Sequence, residues 1–232
     1  MDVQEAMLEA ISLAEPAMPH PNPRVGALVV DRSGEIVGRG HHEGPGTPHA
    51  EAIALAEAGS RAAGGTIVVT LEPCDHEGRT PPCTAAILEA GIAGVVVGAA
   101  DPDDRVSGAG VARLRGAGLE VADGIGAAAA EALDPGYFHH RRTGRPRVTL
   151  KVAATLDGQV AAADGTSTWN SGPESRRDGP VLRSRSDAVR VGAGTVISDD
   201  PSLDVRLEGY DGPQPRPVVV AGDRPSPPAS KV

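Results

Sequence analysis

Aromatic residues are nearly absent from this chain of 232 residues, at 2% of the composition. The four that occur are Tyr137, Phe138, Trp169 and Tyr210. Hydrophobic residues nevertheless make up 40%, so a core must be built mainly from Val, Leu, Ile and Ala. Glycine (30) and proline (21) are plentiful, and apolar runs recur between them, which indicates frequent turns rather than disorder. The length suits one large domain or two small ones.

Basic residues are also in deficit, because the net charge is −9. Proteins that bind nucleic acids usually carry a basic stripe and aromatic stacking platforms, and neither occurs before Glu131. We therefore expect no nucleic-acid partner and attribute the acidity to solubility. No run approaches the ~18 apolar residues that a membrane helix needs, so we expect no membrane partner either.

Cysteine is scarce as well, since the chain has only Cys74 and Cys83. A disulfide between them is one interpretation. The Met1–Glu15 segment is acidic and has no apolar stretch typical of a signal peptide. We therefore expect a cytoplasmic protein, in which thiols stay reduced. That expectation favours metal binding over a disulfide.

Helical and strand-like patterns alternate along the first part of the chain, which predicts a layered α/β fold. Helices are predicted at Val3–Glu15, Thr47–Gly59, Cys83–Gly91, Val111–Gly118 and Ile125–Leu133. Strands are predicted at Val25–Val30, Ile36–Gly40, Thr66–Leu71, Gly94–Ala100 and Leu119–Ala122, and the first two would form a hairpin. Thr47 has the form of an N-cap, with Pro48 at the first helical position, and Thr80 followed by two prolines repeats that signal before Cys83.

The segment Asp134–Pro146 differs in character, because it combines histidines and arginines with Gly and Pro, and we interpret it as a linker. The predicted domains are therefore 1–143 and 144–232. In the second, the patterns predict strands at Arg147–Ala153, Asp187–Val191 and Pro217–Val220, a turn at Leu156–Gly158 and a helix at Val181–Ser186.

The residues that carry chemistry cluster between Thr47 and Cys83. His49, Cys74 and Cys83 offer one imidazole and two thiols, a ligand set for a zinc ion that keeps one position open for water. Glu51 would be a carboxylate beside the metal, as in zinc deaminases in which a glutamate that is not a ligand shuttles protons. His49 and Glu51 would point about 200° apart on a regular helix, so His49 must sit at its irregular start.

Cys83 falls at a predicted helix start, where partial positive charge favours a thiolate. A structural zinc site remains an alternative and would need a fourth ligand, for which His42 and His76 are the candidates. Such a site would belong to a binding module without catalysis. A deaminase acting on nucleic acids is a further alternative. It predicts two residues between the cysteines, whereas eight separate Cys74 from Cys83.

Longer motifs recur in one order along most of the chain. They are H-P-N-P-R-V-G at His20–Gly26, P-H-A-E at Pro48–Glu51, E-P-C-D-H-E-G-R-T-P-P-C at Glu72–Cys83, D-P at Asp101 with G-A-G at Gly108–Gly110, L-K-V-A-A-T-L-D-G at Leu150–Gly158, S-T-W at Ser167–Trp169 and D-D-P-S-L-D-V-R at Asp199–Arg206. This series closely resembles the bifunctional deaminase/reductase of the riboflavin pathway, the RibD family.

The resemblance implies a cytidine-deaminase-like three-layer α/β/α domain followed by a partial α/β domain similar to dihydrofolate reductase. The first domain would deaminate 2,5-diamino-6-ribosylamino-4(3H)-pyrimidinone 5′-phosphate to 5-amino-6-(5-phosphoribosylamino)uracil, with zinc on His49, Cys74 and Cys83 and with Glu51 as the proton donor. The second would reduce the ribosyl group to ribityl with NADPH. The resemblance also suggests a homo-oligomer that acts on a small pyrimidine nucleotide.

Further site residues follow from motif position within the resemblance. Contacts to the base and phosphate in the first domain would be Asn22, His42, His76 and Arg79. Cofactor contacts in the second would be Ala153, Trp169, Thr195 and Asp199. Substrate contacts there would be Ser167, Arg183, Leu203 and Arg206, of which the two arginines offer guanidinium forks that fit phosphate. The family's reductase domain continues with a later glycine-rich segment, so we expect reductase activity to be absent or impaired in these 232 residues unless another chain completes the domain.

Overall fold

The computed structural model describes residues 2–78, 80–167, 171–223 and 230–232. They form two compact units, Met1–Arg147 and Val148–Val232. Within the described ranges, no helix combines the length and the apolar character that crossing a membrane requires.

A five-stranded sheet forms the centre of the first unit, in the order β2-β1-β3-β4-β5. Its strands are β1 Gly26–Val30, β2 Ile36–His41, β3 Thr66–Leu71, β4 Gly94–Ala99 and β5 Glu120–Ala122. The antiparallel pairing of β1 with β2 confirms the predicted hairpin. Strand β1 is also antiparallel to β3, whereas β3, β4 and β5 run parallel. The segments that follow β3 and β4 therefore leave the sheet at the same edge, where open α/β sheets place their sites.

Helices cover both faces of this sheet, which confirms the three-layer α/β/α prediction. They are α1 Val3–Ala14, α2 Ala50–Ala58, α3 Cys83–Glu89, α4 Ala109–Gly116, α5 Ala127–Leu133 and α6 Pro135–Thr143, with a 3₁₀ turn at Gly59–Ala62. Side chains alternate along β3, so that Ile67 and Val69 join the core that includes α2, whereas Val68 joins the core against α1. Strand β3 thus contributes to two cores, as expected of a strand in a sheet that is buried on both sides.

Two glycines on β2 let helix α2 lie directly against the sheet. A Cβ on Gly38 would come within 2.0 Å of the carbonyl oxygen of Ala54, and one on Gly40 within 2.1 Å of that of Ala50. Both are far inside van der Waals contact, so any side chain would push the helix away. These glycines therefore fix the height of α2 above the sheet, and with it the start of the helix near Ala50.

The prediction of a linker at Asp134–Pro146 is wrong, because most of the segment is helix α6. Asp134 is its N-cap, with a side chain that accepts a hydrogen bond from the backbone N–H of Tyr137 at 3.3 Å, and Pro135 opens the first turn. Phe138 is buried in the core. An aspartate followed by proline is a helix-start signal, and the basic composition of the segment obscured it.

The second unit contains α7 Pro173–Ser184, β6 Ala188–Gly192, α8 Ala193–Asp199 and β7 Arg216–Val220. Strands β6 and β7 form a two-stranded parallel sheet. The prediction of a strand at Arg147–Ala153 is wrong, since the segment has no regular secondary structure and leaves Leu150 85% exposed. Its alternating apolar residues fit a strand, but a strand needs a hydrogen-bonded neighbour, and no described strand pairs with it.

Candidate metal centre

Three elements of the first unit bring the predicted metal ligands together. His49 immediately precedes α2, Cys74 lies three residues past the end of β3, and Cys83 is the first residue of α3. The Nδ1 atom of His49 lies 3.1 Å from Sγ of Cys83 and 3.7 Å from Sγ of Cys74. All three candidate ligand atoms lie within 4.8 Å of one another.

This donor set fits zinc. Zinc bonds of about 2.0 Å to nitrogen and 2.3 Å to sulfur place tetrahedral nitrogen and sulfur ligands roughly 3.5 Å apart, which is close to the two observed separations. Within the described residues, the metal-ligand cluster consists of these three side chains. Three protein ligands leave one position for water or substrate, as in catalytic rather than structural zinc sites.

His49 is the N-cap of α2, so the expectation that Thr47 caps this helix and Pro48 starts it is wrong. The backbone of His49 is extended, with φ −73° and ψ 159°, and the helix begins at Ala50. The Thr47 hydroxyl serves its own loop instead, where it donates to the carbonyl oxygen of Gly44 at 2.8 Å. The extended conformation places His49 outside the helix, which removes the angular conflict with Glu51.

Thr80, the cap predicted for the helix that begins at Cys83, contacts His49 instead of capping the helix. Pro82, not Thr80, is the N-cap of α3. The hydroxyl of Thr80 lies 3.3 Å from Nε2 of His49, on the side of the ring opposite the two sulfurs. Such a partner fixes the orientation of a ligand imidazole. Sequence patterns give Thr80 as a cap candidate only, because its contact with His49 is tertiary.

The two thiols differ in electrostatic environment. A hydrogen bond from Cys83, together with one from His49, lowers the pKa of Cys74 to about 4. The same interaction with Cys74, together with burial, raises the pKa of Cys83. The backbone N–H of Cys83 also points at Sγ of Cys74, 3.5 Å away. The start of α3 therefore stabilises a thiolate on Cys74, whereas the sequence led us to expect that effect on Cys83.

Glu51 lines a cavity together with His49 and Cys74. The cavity has a volume of about 520 Å³, enough for a nucleotide-sized ligand. Glu51 is only 3% exposed, and burial raises the pKa of its carboxyl, although the nearby His49 opposes that shift. A carboxyl with a raised pKa beside an open ligand position is suited to accept a proton and return it.

Asn22 and His42 meet at one wall of this cavity. The Asn22 amide donates to Nε2 of His42 at 2.8 Å, and Nδ1–H of His42 donates to the carbonyl oxygen of Pro48 at 3.1 Å. Burial lowers the pKa of His42, consistent with a neutral ring. Because both ring nitrogens have partners, His42 is not available as a fourth metal ligand. It holds Asn22 against the backbone that leads to His49.

Two further contacts are predicted in the first unit, His76 and Arg79. His76 lines the cavity, and its Nδ1 atom is buried with no hydrogen-bond partner among the residues that the structure describes. Arg79 lies outside the described residues.

The lining of the cavity also includes a polar cluster that the sequence did not reveal as part of the site. The Tyr137 hydroxyl donates to Asp101 at 2.9 Å. Asp103 accepts two hydrogen bonds from the Arg105 guanidinium, at 2.9 and 2.6 Å, and lies 3.4 Å from Arg141. Tyr137 and Arg141 are on α6. They were missed because that helix was interpreted as a linker.

In the second unit, the structure brings together two of the predicted substrate residues. The Arg183 guanidinium donates to the carbonyl oxygen of Asp204 at 2.9 Å, and Arg206 lies 3.6 Å from the Asp204 carboxylate. Burial, and then the like charge of Arg206, lowers the pKa of Arg183. Leu203 is 3% exposed, so its side chain contributes to packing.

The predicted cofactor residues of the second unit lie in different kinds of structure. Thr195 and Asp199 lie on α8, whereas Ala153 and the predicted substrate residue Ser167 lie in segments without regular structure. Trp169 is outside the described residues.

Two family models match the chain. Residues 1–99 match the cytidine and deoxycytidylate deaminase zinc-binding region. Residues 146–232 match the RibD C-terminal domain. The first match contains all three candidate metal ligands and Glu51, and the second begins just before the second unit.

Similar proteins include the riboflavin biosynthesis protein RibD of Escherichia coli (strain K12), 46% identical over 207 residues that cover 88% of this chain and 56% of the relative. The protein of the same name from Aquifex aeolicus is 50% identical over 200 residues, or 85% of this chain and 56% of the relative. This chain therefore spans little more than half the length of these two relatives.

Solved structures agree with the sequence matches. Acinetobacter baumannii RibD, form 1, superposes with a TM-score of 0.87 at 44% identity, over 94% of this chain and 62% of that one. A diaminohydroxyphosphoribosylaminopyrimidine deaminase/5-amino-6-(5-phosphoribosylamino)uracil reductase from Thermotoga maritima superposes with a TM-score of 0.87 at 41% identity, over the same two shares.

Proposed function

The chain belongs to the RibD family, and from that premise we propose that its first unit is a zinc-dependent hydrolytic deaminase of a pyrimidine nucleotide. The proposed substrate is 2,5-diamino-6-ribosylamino-4(3H)-pyrimidinone 5′-phosphate and the product 5-amino-6-(5-phosphoribosylamino)uracil, with ammonia released. The observation that carries the proposal is the convergence of His49, Cys74 and Cys83, of which the first two line one cavity together with the buried Glu51. Riboflavin biosynthesis is the corresponding role.

The protein's contribution to metal binding is a fixed set of three donors. Nδ1 of His49 and the Sγ atoms of Cys74 and Cys83 would hold the ion. When bound, zinc polarises a ligand water and brings its pKa from 15.7 to about 7. Thr80 holds the His49 ring from its far side, so that Nδ1 faces the sulfurs.

Glu51 would carry the proton in this reaction. Its carboxylate oxygen accepts a proton from the attacking water as the oxygen–carbon bond forms. As the oxygen attacks, the electron pair of the ring carbon–nitrogen double bond moves to the ring nitrogen. Glu51 then donates its proton to the exocyclic nitrogen, the ring double bond re-forms, and the bond from the ring carbon to the exocyclic nitrogen breaks to release ammonia. The remaining hydroxyl proton passes to the ring nitrogen, which gives the uracil carbonyl. Burial favours the protonated form of Glu51 that the second step needs. General acid–base transfer of this kind contributes roughly 10²- to 10⁴-fold to the rate.

The cavity walls would recognise the nucleotide. Asn22, held by His42, presents an amide donor and acceptor toward the base, and His76 and Arg79 are the further proposed contacts to the base and phosphate. A small-molecule substrate agrees with the size of the cavity. We further propose that the protein acts in the cytoplasm as a homo-oligomer, in line with its two free thiols and with the family resemblance.

For the second unit we propose NADPH-dependent reduction of the ribosyl group to ribityl. Arg183 and Arg206, which share Asp204, are the proposed phosphate contacts, and Ser167 and Leu203 the other substrate positions. Ala153, Trp169, Thr195 and Asp199 are the proposed cofactor positions. Because Leu150 and Leu156 are fully or largely exposed, we expect the 232-residue polypeptide to oxidise NADPH poorly. Robust NADPH oxidation with the deaminated nucleotide would contradict that expectation.

The deaminase proposal is tested by ammonia release from the diaminopyrimidine nucleotide. The zinc-loaded chain should release ammonia over many turnovers. A chelator that removes the zinc should stop the release, because Glu51 takes its proton from the water that the zinc activates. Release that continues after complete removal of zinc, or no release from the zinc-loaded chain, would reject the proposal.

A further inference from the structure

We propose that Glu72 is a positioning residue for the metal centre, which docks helix α4 onto the backbone that presents Cys74. This inference rests on the metal-binding part of the proposed function. Glu72 is the first residue after β3, two positions before the cysteine. Its backbone N–H donates to the carbonyl oxygen of Ala99 at 2.9 Å, which extends the pairing of β3 with β4 by one step.

The carboxylate of Glu72 is only 4% exposed and collects three backbone N–H groups from another part of the chain. One oxygen accepts from Gly108 at 3.0 Å and from Asp101 at 3.4 Å, and the other accepts from Val111 at 3.2 Å. A buried carboxylate is stable when such donors surround it. The three donors span the loop between β4 and α4, which supplies part of the cavity wall.

Two of these donors lie at the start of α4. The N-cap of that helix is Gly108, which has no side chain and adopts φ 87°. The free N–H groups that open a helix are usually capped by the N-cap side chain. Here Glu72, which directly follows β3, caps them instead, and its negative charge is also favourable at the helix N-terminus. The capping interaction therefore joins α4 to the segment that leads to Cys74.

Gly110 allows this docking to be close. A Cβ at that position would lie 1.9 Å from the carbonyl oxygen of Pro73, so only glycine fits. Pro73 is the residue between Glu72 and Cys74. The first turn of α4 thus rests on the peptide that leads into the metal ligand.

Asp75, on the other side of Cys74, is tied to two helices. Arg113 of α4 lies 3.0 Å from its carboxylate. The hydroxyl of Thr84, in α3, donates to the same carboxylate at 2.5 Å. Helix α4 therefore contacts the chain on both sides of Cys74, and α3 carries the second thiol ligand, Cys83. We infer that α4 sets the position of the Cys74 sulfur relative to the other two ligands.

The test is zinc affinity, measured by competition with a chromophoric chelator. Glu72→Gln keeps the size of the side chain but removes its charge and one acceptor. Loss of a group that orients a metal ligand typically reduces affinity about 10- to 100-fold, and we expect that loss here. Glu89→Gln is the matched control, since Glu89 is exposed on α3, and it should keep the affinity of the parent chain.

A second readout separates positioning from general stability. With Co²⁺ in place of zinc, Glu72→Gln should shift the sulfur-to-metal charge-transfer absorption, at a temperature where circular dichroism shows the chelator-treated variant still folded. Unchanged zinc affinity and an unchanged Co²⁺ spectrum in that folded variant would overturn the proposal.

If Glu72→Gln does not fold, Arg113→Gln is the alternative variant. It removes the ion pair between α4 and Asp75 at a half-exposed arginine. Arg113→Gln should bind zinc more weakly than Glu89→Gln does, and equal zinc affinities of the two variants would reject the positioning role.

The positioning role of Glu72 and the deaminase activity can be rejected independently of each other. A parent chain that binds zinc but releases no ammonia rejects the deaminase while leaving the Glu72 comparison intact. A parent chain that binds no zinc rejects both.

Discussion

His49 and Glu51 are two residues apart, yet one is extended and the other helical. His49 ends the loop before α2 with φ −73° and ψ 159°, and Glu51 lies in the first turn of that helix. On a regular helix their side chains would diverge by about 200°. The change of conformation at Ala50 lets the imidazole and the carboxylate line the same cavity, which the proposed division between metal ligand and proton carrier requires.

Glu51→Gln should abolish most deamination without loss of metal. The amide cannot accept and return a proton, so we expect kcat to fall by roughly two to four orders of magnitude. Because Glu51 is not one of the three ligand residues, zinc content should stay at that of the parent chain. Both quantities can be measured on one preparation, by ammonia release and by atomic absorption.

The control for that variant is Glu89→Gln, which makes the same chemical change on the exposed end of α3. It should retain the kcat of the parent chain. A Glu51→Gln protein that deaminates at close to the parent rate would support a zinc-stabilised module in which this carboxylate has no chemical role.

His42→Ala should weaken substrate binding more than turnover. The variant frees the Asn22 amide and leaves the carbonyl oxygen of Pro48 without its donor. Loss of buried hydrogen bonds of this kind costs about 1–3 kcal/mol, so KM should rise roughly 10- to 100-fold while zinc stays bound. His140→Ala changes an exposed histidine on α6 and should leave KM unchanged. An unaltered KM in His42→Ala would show that the orientation of Asn22 is unimportant.

Gly38→Ala should destabilise the first unit. The new Cβ would lie 2.0 Å from the carbonyl oxygen of Ala54, so α2 must move away from β2. Overpacking of this kind typically costs about 1–3 kcal/mol, measurable as a lower urea midpoint. Gly116→Ala is the matched control, because among the described residues no atom outside its own helix backbone and its chain neighbours lies within 4 Å of its Cβ position. It should be neutral or stabilise α4 by up to about 1 kcal/mol. Equal midpoints for the two variants would contradict the close packing of α2.

Asp103→Asn should affect stability in a pH-dependent way. Arg105, and then Arg141, holds the pKa of Asp103 below its ordinary value. The unfolded chain therefore takes up this proton first as the pH falls. The stabilisation is complete above the ordinary aspartate pKa of about 3.9, and it is lost as the pH falls through the lower pKa of the folded state.

The measurement is urea unfolding of both proteins with chelator present at each pH. Arg105 is largely exposed, so the variant should be less stable by only about 1 kcal/mol or less. This difference should be constant from about pH 8 to pH 5 and should shrink below about pH 4. A difference that grows as the pH falls would contradict the pairing of Asp103 with the two arginines.

Local patterns were sufficient to predict the central sheet and to propose the three candidate metal ligands. Strand β3 matches its predicted bounds, because a run of β-branched residues between polar and glycine-bearing segments has few alternatives. His49, Cys74 and Cys83 could be proposed together because their chemistry is distinctive. The position of His49 outside α2 could not be predicted, since Thr47 offered an equally good local cap, whereas its hydroxyl instead bonds to Gly44 within its own loop.

Features that depend on tertiary partners were missed. Helix α6 was misinterpreted because its composition is basic and polar, although Asp134 and Pro135 carry a helix-start signal. The Arg147–Ala153 segment has the alternation of a strand but no described strand beside it. The docking of Glu72 on Gly108 and Val111 joins residues more than thirty positions apart, which no local pattern encodes.

The most direct test of the account is X-ray absorption at the zinc edge on the purified chain. We predict one zinc per chain with two sulfur ligands at about 2.3 Å, one imidazole nitrogen at about 2.0 Å and one further light-atom ligand from water. Cys83→Ser should remove one sulfur from that shell and weaken zinc binding. A spectrum with a second imidazole in place of the water, or without two sulfurs, would contradict an open site built on His49, Cys74 and Cys83.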